Sequence, residues 1–209
     1  ILAKTIFLLV GRATAMEALS RMMHMDQMTG IANSRRLNQV MMGELEKNRF
    51  HMFCNNFINI KNMKLFNGRY GEKERISETA QTLESKAAYI LNQFVGETGC
   101  AARLGGDNFV VFLEAERQDA FLEYMTNLTI TLENPQSESK DIKIGTRIGY
   151  YRIQPGDKIA EAMGNSSIAF RYAQRESNAD VIVFEQSMRD NMLRMKELEE
   201  NTPEAILNR

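Results

Sequence analysis

The chain has 209 residues, 44% hydrophobic and 25% charged, which suits one globular domain of ordinary size with extra helices at its ends. A formal net charge of -1 gives no basic surplus to hold nucleic acid or an anionic membrane. No run approaches the roughly 18–20 apolar residues needed to span a bilayer, and no signal-peptide pattern is present.

The expected location is therefore the cytoplasm. Ile6 to Val10 is apolar but short, and reads as the stub of a longer element, leaving room for membrane attachment of the whole protein. From Ala13 to Met25, apolar residues at helical spacing (Met16, Leu19, Met22, Met23) predict a leading helix. Turn residues from Asp26 to Asn33 end it. Ser34 is the expected N-cap of an amphipathic helix over Arg35 to Lys47, with Asp26 and Arg35 or Arg36 holding the turn before it. Phe50 to Ile60 reads as a strand. A short helix over Lys61 to Phe66 and a loop at Asn67 to Gly71 follow, then the longest helical stretch, Glu72 to Phe94.

Arg103-Leu104-Gly105-Gly106-Asp107-Asn108-Phe109 lies between two apolar runs, Cys100 onward and Val110 to Leu113. It predicts a β-hairpin with Gly105-Gly106 at its tip, because glycine accepts positive φ and lets a bulky ligand approach the backbone. Asp107 beside such a turn suits a metal ion or a metal-bound phosphate, and suits equally a plain turn acid. Beyond the hairpin, a helix is expected over Gln118 to Leu132, stopped near Asn134-Pro135, then a strand over Ile142 to Ile153. Asp157 is expected to cap a helix running to Arg175, Val181 to Phe184 to form a last strand, and Gln186 to Glu200 a charged terminal helix. Strands alternating with helices and including one hairpin predict an α/β (α+β) sandwich, a mixed central sheet flanked by helices. Cys54 and Cys100 read as buried reduced thiols, and His24 and His51 are too isolated for a metal cluster.

Four separated segments in order resemble the GGDEF family, the diguanylate cyclases. Asp26-Gln27-Met28-Thr29-Gly30-Ile31-Ala32-Asn33-Ser34-Arg35-Arg36-Leu37 is similar to the family's D-x-L-T-G-L-x-N-R-R. Asn59-Ile60-Lys61-Asn62-Met63-Lys64-Leu65-Phe66-Asn67-Gly68 is similar to D-x-D-x-F-K-x-x-N-D, with Tyr70-Gly71 after it. The glycine hairpin is the third segment, and Ala169-Phe170-Arg171-Tyr172-Ala173-Gln174 is similar to A-L-Y-x-A-K. The resemblance implies a nucleotidyl-cyclase-like fold over 26–185, preceded by the leading helix 1–25. Over 186–209 it implies a connector towards a cyclic di-GMP phosphodiesterase (EAL) domain.

Members of the family join two GTP molecules into cyclic di-GMP, one on each domain of a dimer. That chemistry needs two divalent ions, Mg²⁺ or Mn²⁺, on the triphosphate. The implied metal positions are Asp107, Asn59 and the backbone of Ile60, and the implied catalytic positions are Asp107 and Asn108. Asn59 and Asn108 stand where the family has acids, and an amide oxygen replaces a carboxylate poorly on a hard cation. The implied nucleotide contacts are Asn67, Lys64, Gly105, Gly106 and Ile76. Asn67 and Lys64 read equally as a cap and a surface lysine. Ile76 falls where guanine would meet an acid, and cannot accept from its N–H donors. The late lysine and arginine positions hold Gln174 and Asn178. The R-x-x-D motif of product inhibition is missing at Gly96 to Gly99, so no inhibitory cyclic di-GMP site is expected. The sequence thus points to a degenerate GGDEF domain: a regulatory module that binds GTP weakly or acts by homodimerisation, and controls a linked EAL domain. The alternatives are an active diguanylate cyclase, or an interaction domain without a ligand.

Overall fold

The structure, a computed structural model, describes residues 2–47, 53–61, 83–132, 140–175 and 179–201. Its centre is β1 (Phe53–Ile60), flanked on both sides by antiparallel partners, β3 (Asn108–Glu114) and β6 (Thr146–Ile153). At one edge β2 (Cys100–Gly105) pairs antiparallel with β3, and at the other β7 (Val181–Val183) pairs parallel with β6. The order β2-β3-β1-β6-β7 is a mixed five-stranded sheet, as the sequence predicts.

Helices cover both faces. Alternation along β3 sends Phe109, Val111 and Leu113 into one cluster and Val110 and Phe112 into another. The first cluster receives α3 (Leu83–Phe94) through Ala87, Ala88 and Leu91, and α4 (Gln118–Thr126) through Phe121 and Met125. The second receives α2 (Ser34–Lys47) through Leu37 and Met41, and α5 (Ile159–Arg175) through Ala162. Phe53 stacks on Phe112 at 4.7 Å and Phe57 tilts onto Phe170 of α5 at 4.8 Å. The leading helix, α1 (Leu2–His24), takes in the short apolar run before Gly11, and α6 (Gln186–Asn201) follows β7. Among the described residues, no helix is long and apolar enough to cross a membrane.

Several local expectations are corrected. Asn33, not Ser34, caps α2: its Oδ1 accepts from the Arg36 N–H at 3.1 Å. The helix after the hairpin ends at Thr126, and Thr129–Leu132 is a strand, β4, paired with β5 (Lys140–Lys143). Its β-branched residues favour the pleat, and Ile130 fills the first core cluster. The single strand expected over 142–153 is two, broken at Ile144-Gly145, where the Gly145 carbonyl accepts from the Lys61 N–H at 2.8 Å. Asp157 does not cap α5. Its carboxylate closes the preceding turn, accepting from the Gln154 N–H and the Tyr151 hydroxyl, each at 2.7 Å. Cys54 and Cys100 are free and buried, and burial pushes their thiols up to about 12 and about 11. The helix expected over Lys61 to Phe66, the following loop, and the helix before Leu83 lie outside the described residues.

Candidate functional site

The glycine hairpin is present, with its tip one residue later than expected. Gly105 is still in the ladder, opposite Asn108, and the turn is Gly106-Asp107. Both glycines hold positive φ, +127° at Gly105 and +56° at Gly106, where an L side chain is strained. A register shift between Arg103 and Gly105 twists the end of β2.

Arg103 fastens this tip to the end of the leading helix. Its Nε and Nη2 both donate to the Gly106 carbonyl, at 2.9 and 2.7 Å, and its Nη1 reaches both Asp26 carboxylate oxygens at 3.3 Å. Asp26 also accepts from the Thr29 N–H and hydroxyl, at 3.0 and 2.7 Å. The partners holding the opening turn are thus Thr29 and Arg103 rather than the expected Arg35 or Arg36. Burial alone would raise the Asp26 carboxyl; the Thr29 hydrogen bonds and the Arg103 charge outweigh it and hold the group below its ordinary 3.8.

A carboxyl depressed on folding stabilises the protein above its unfolded value and loses that contribution as pH falls through the folded one. Asp26→Asn is therefore expected to cost about 1–3 kcal/mol at neutral pH. The gap from the parent protein should close as pH falls below about 4. Urea melts of both proteins across that range check it, and a gap independent of pH would contradict it.

The end of β1 brings the predicted metal positions together. Asn59 lies opposite Asn108 on β3, and its Nδ2 donates to Asn108 Oδ1 at 3.2 Å and to the Asp107 carbonyl at 3.4 Å. The Ile60 N–H also meets the Asp107 carbonyl at 3.4 Å, while the Ile60 side chain is fully buried. On its other side Asn59 lies opposite Arg147 of β6. Directly opposed residues project from the same face of a sheet, so Asn108, Asn59 and Arg147 form one row across three strands. Lys64, Asn67 and Ile76 lie outside the described residues, as does Asn178.

This corner does not fit a pair of Mg²⁺ ions. A hard cation wants several charged oxygens. Among the described residues Asp107 is the one carboxylate at this corner, Asn59 already donates to Asn108, and a guanidinium stands in the same row. Two carboxylates so close would repel and invite a metal; two amides need none. Among the described residues, no group of three or more His, Cys, Asp or Glu could hold a metal ion. Sequence reasoning missed Arg147 and the bridging role of Arg103. The signal for Arg147 was an arginine next to the apolar Ile148 in the Thr146–Ile153 strand, but its neighbour Asn59 emerges only from the pairing register.

Among curated proteins, none matches this chain in sequence. The coiled coil and GGDEF domain of DgcB from Caulobacter crescentus, solved in complex with c-di-GMP, is similar in structure. It has a TM-score of 0.68 at 20% identity, over 87% of this chain and 96% of that one. The diguanylate cyclase SiaD from Pseudomonas aeruginosa, solved with its activator SiaC, gives a TM-score of 0.60 at 16% identity, over 86% and 71%. The GGDEF domain of PA1120 from the same organism gives 0.61 at 20% identity, over 81% and 99%. At these identities the likeness speaks for the fold alone. The sequence model of the family described as diguanylate cyclase, GGDEF domain, matches residues 23–179, three quarters of the chain. This chain belongs to the GGDEF family, the domain family of cyclic di-GMP signalling.

Proposed function

We propose that this is a GGDEF domain without cyclase activity, acting as a regulatory module for a linked cyclic di-GMP phosphodiesterase domain. The observation that carries the reading is the amide pair Asn59–Asn108 beside Asp107. In-line attack of a 3′-hydroxyl on a triphosphate needs metal ions to neutralise the developing charge. One carboxylate beside two neutral amides, the first donating to the second, supplies too little negative charge to assemble them. Ile76 at the base-recognition position further weakens selection of guanine. The retained glycine pair Gly105-Gly106, Lys64 and Asn67 support weak GTP binding as the regulatory input; Asp107 would favour it only through a bound Mg²⁺ or Mn²⁺, held mainly by the nucleotide's own phosphates. Homodimerisation would carry the signal. Exposed Leu193 and Met195 on α6 suit a connector that meets a further domain.

The purified chain is expected to form no cyclic di-GMP from GTP with Mg²⁺ or Mn²⁺ above the background of Asp107→Ala, measured by mass spectrometry after prolonged incubation. Metal-dependent product that disappears in Asp107→Ala would overturn the reading and make the chain a working cyclase with unusual ligands.

A further inference from the structure

We propose that Arg147 is an anion-binding residue, and that the corner formed by Arg147, Asn59 and Asn108 takes a polyphosphate group directly, without a divalent ion. The proposal rests on the reading above that this corner is not a metal site, and adds what it binds instead. Three observations support it.

First, register places Arg147 in a row with Asn59 and Asn108 across β6, β1 and β3. The face is fixed by parity. Two residues along β1, Phe57 packs on Phe170, and two along β6, Gly149 lies against the Phe170 backbone. Asn59 and Arg147 are the next pair on that same face, at the sheet end beside the glycine turn. Second, Arg147 is half-buried, and its Nε is fully shielded with no hydrogen-bond partner among the described residues. A guanidinium is always charged and offers five donors in a planar fork that matches phosphate oxygens two at a time. A shielded donor left unused costs stability, and an anion held by the accessible Nη edge of the same guanidinium would offset part of that cost. Third, Asn108 accepts from Asn59 through its Oδ1, which leaves its amide N–H groups as further donors at the same corner. Asp107 is the opposing term: its carboxylate sits at the adjoining turn and repels an anion. The metal reading needs Asp107, whereas anion binding is hindered by it, so the two readings predict opposite effects of removing its charge.

The test is calorimetric titration of the whole chain in EDTA at low ionic strength, with sodium tripolyphosphate as one probe and GTP as another. Both are expected to bind without metal. Arg147→Met should weaken tripolyphosphate at least about tenfold, the loss expected for a bidentate charged contact, while raising the melting temperature of the unliganded protein by about 2 °C. Removing a half-buried guanidinium with an unused shielded donor does this; deleting a structural arginine would lower it. Asp107→Asn should tighten binding about threefold or more. Should Arg147→Met not fold, Arg147→Lys keeps the charge without the fork and is expected to bind less tightly than the parent. GTP binding much tighter than tripolyphosphate identifies a nucleotide as the natural anion, equal binding a free polyphosphate, and both support the proposal. No tripolyphosphate binding in EDTA, unchanged affinity in the Arg147 variants, or weaker binding in Asp107→Asn overturns it. Because these arms contain no metal and read no product, their failure is distinct from the appearance of cyclase activity.

Discussion

Gly149→Ala should lower the melting temperature of this protein steeply. A Cβ built at Gly149 falls 1.9 Å from the Phe170 nitrogen, 2.4 Å from its Cα and 2.6 Å from the Ala169 carbonyl carbon. These are backbone atoms of α5, so no rotamer change relieves the clash and the helix must lift from the sheet. That movement would also disturb the Phe57–Phe170 contact and the burial of Ala169 and Ala173. Overpacking of this kind costs about 3 kcal/mol, which for a chain of this size is a fall of about 6–12 °C. Gly164 in the same helix is the control: a Cβ there meets nothing within 4 Å. Gly164→Ala is expected to stabilise by about 0.5–1 kcal/mol through the reduced freedom of the unfolded chain. Calorimetric melts of both variants check the pair. Equal effects would mean that α5 does not seat on Gly149 as described.

Asn56→Ala should be nearly as damaging, for the opposite reason. Asn56 and Gln118 are both fully buried and bond reciprocally: Gln118 Nε2 donates to Asn56 Oδ1 at 2.7 Å, and Asn56 Nδ2 donates to Gln118 Oε1 at 3.0 Å. Asn56 Nδ2 also reaches the Val111 carbonyl at 3.2 Å, tying β1, β3 and α4 together. Truncation leaves the Gln118 amide without partners in an apolar core. Each orphaned group costs about 1–3 kcal/mol, so a total near 3 kcal/mol is expected. The double variant Asn56→Val with Gln118→Leu removes both polar ends and should recover most of that loss. The coupling measured by the double-mutant cycle is expected at about 2 kcal/mol. Additive effects would show that the pair is not bonded in solution.

Much of this architecture was legible in the chain. The Gly105-Gly106 hairpin was found because positive φ demands glycine, and the helix faces of α2 and α3 because Leu37 and Met41, and Ala87 and Ile90, recur at helical spacing, although the buried neighbour of Ile90, Leu91, was not foreseen. The failures have physical causes. Ile142, Ile144, Thr146 and Ile148 keep the same parity across the break at Gly145, so alternation could not reveal that the two halves pair in different sheets. Thr129–Leu132 was absorbed into a helix because the periodicity begun at Gln118 ran on without a strong breaker before Pro135. Ser34 and Asn33 are both good caps, and only the backbone geometry decides between them. The site was legible as a set of substitutions in a motif. What those substitutions face, above all Arg147 beside Asn59, depends on a register between strands distant in sequence.

We propose that amides and a guanidinium stand at this corner in place of a divalent-metal site. The most direct test is titration of the whole chain with Mn²⁺, following free ion by electron paramagnetic resonance. No saturable site is expected up to about 1 mM Mn²⁺ without nucleotide, since one carboxylate holds such an ion only weakly. A site saturating in the micromolar range, and lost in Asp107→Ala, would contradict it.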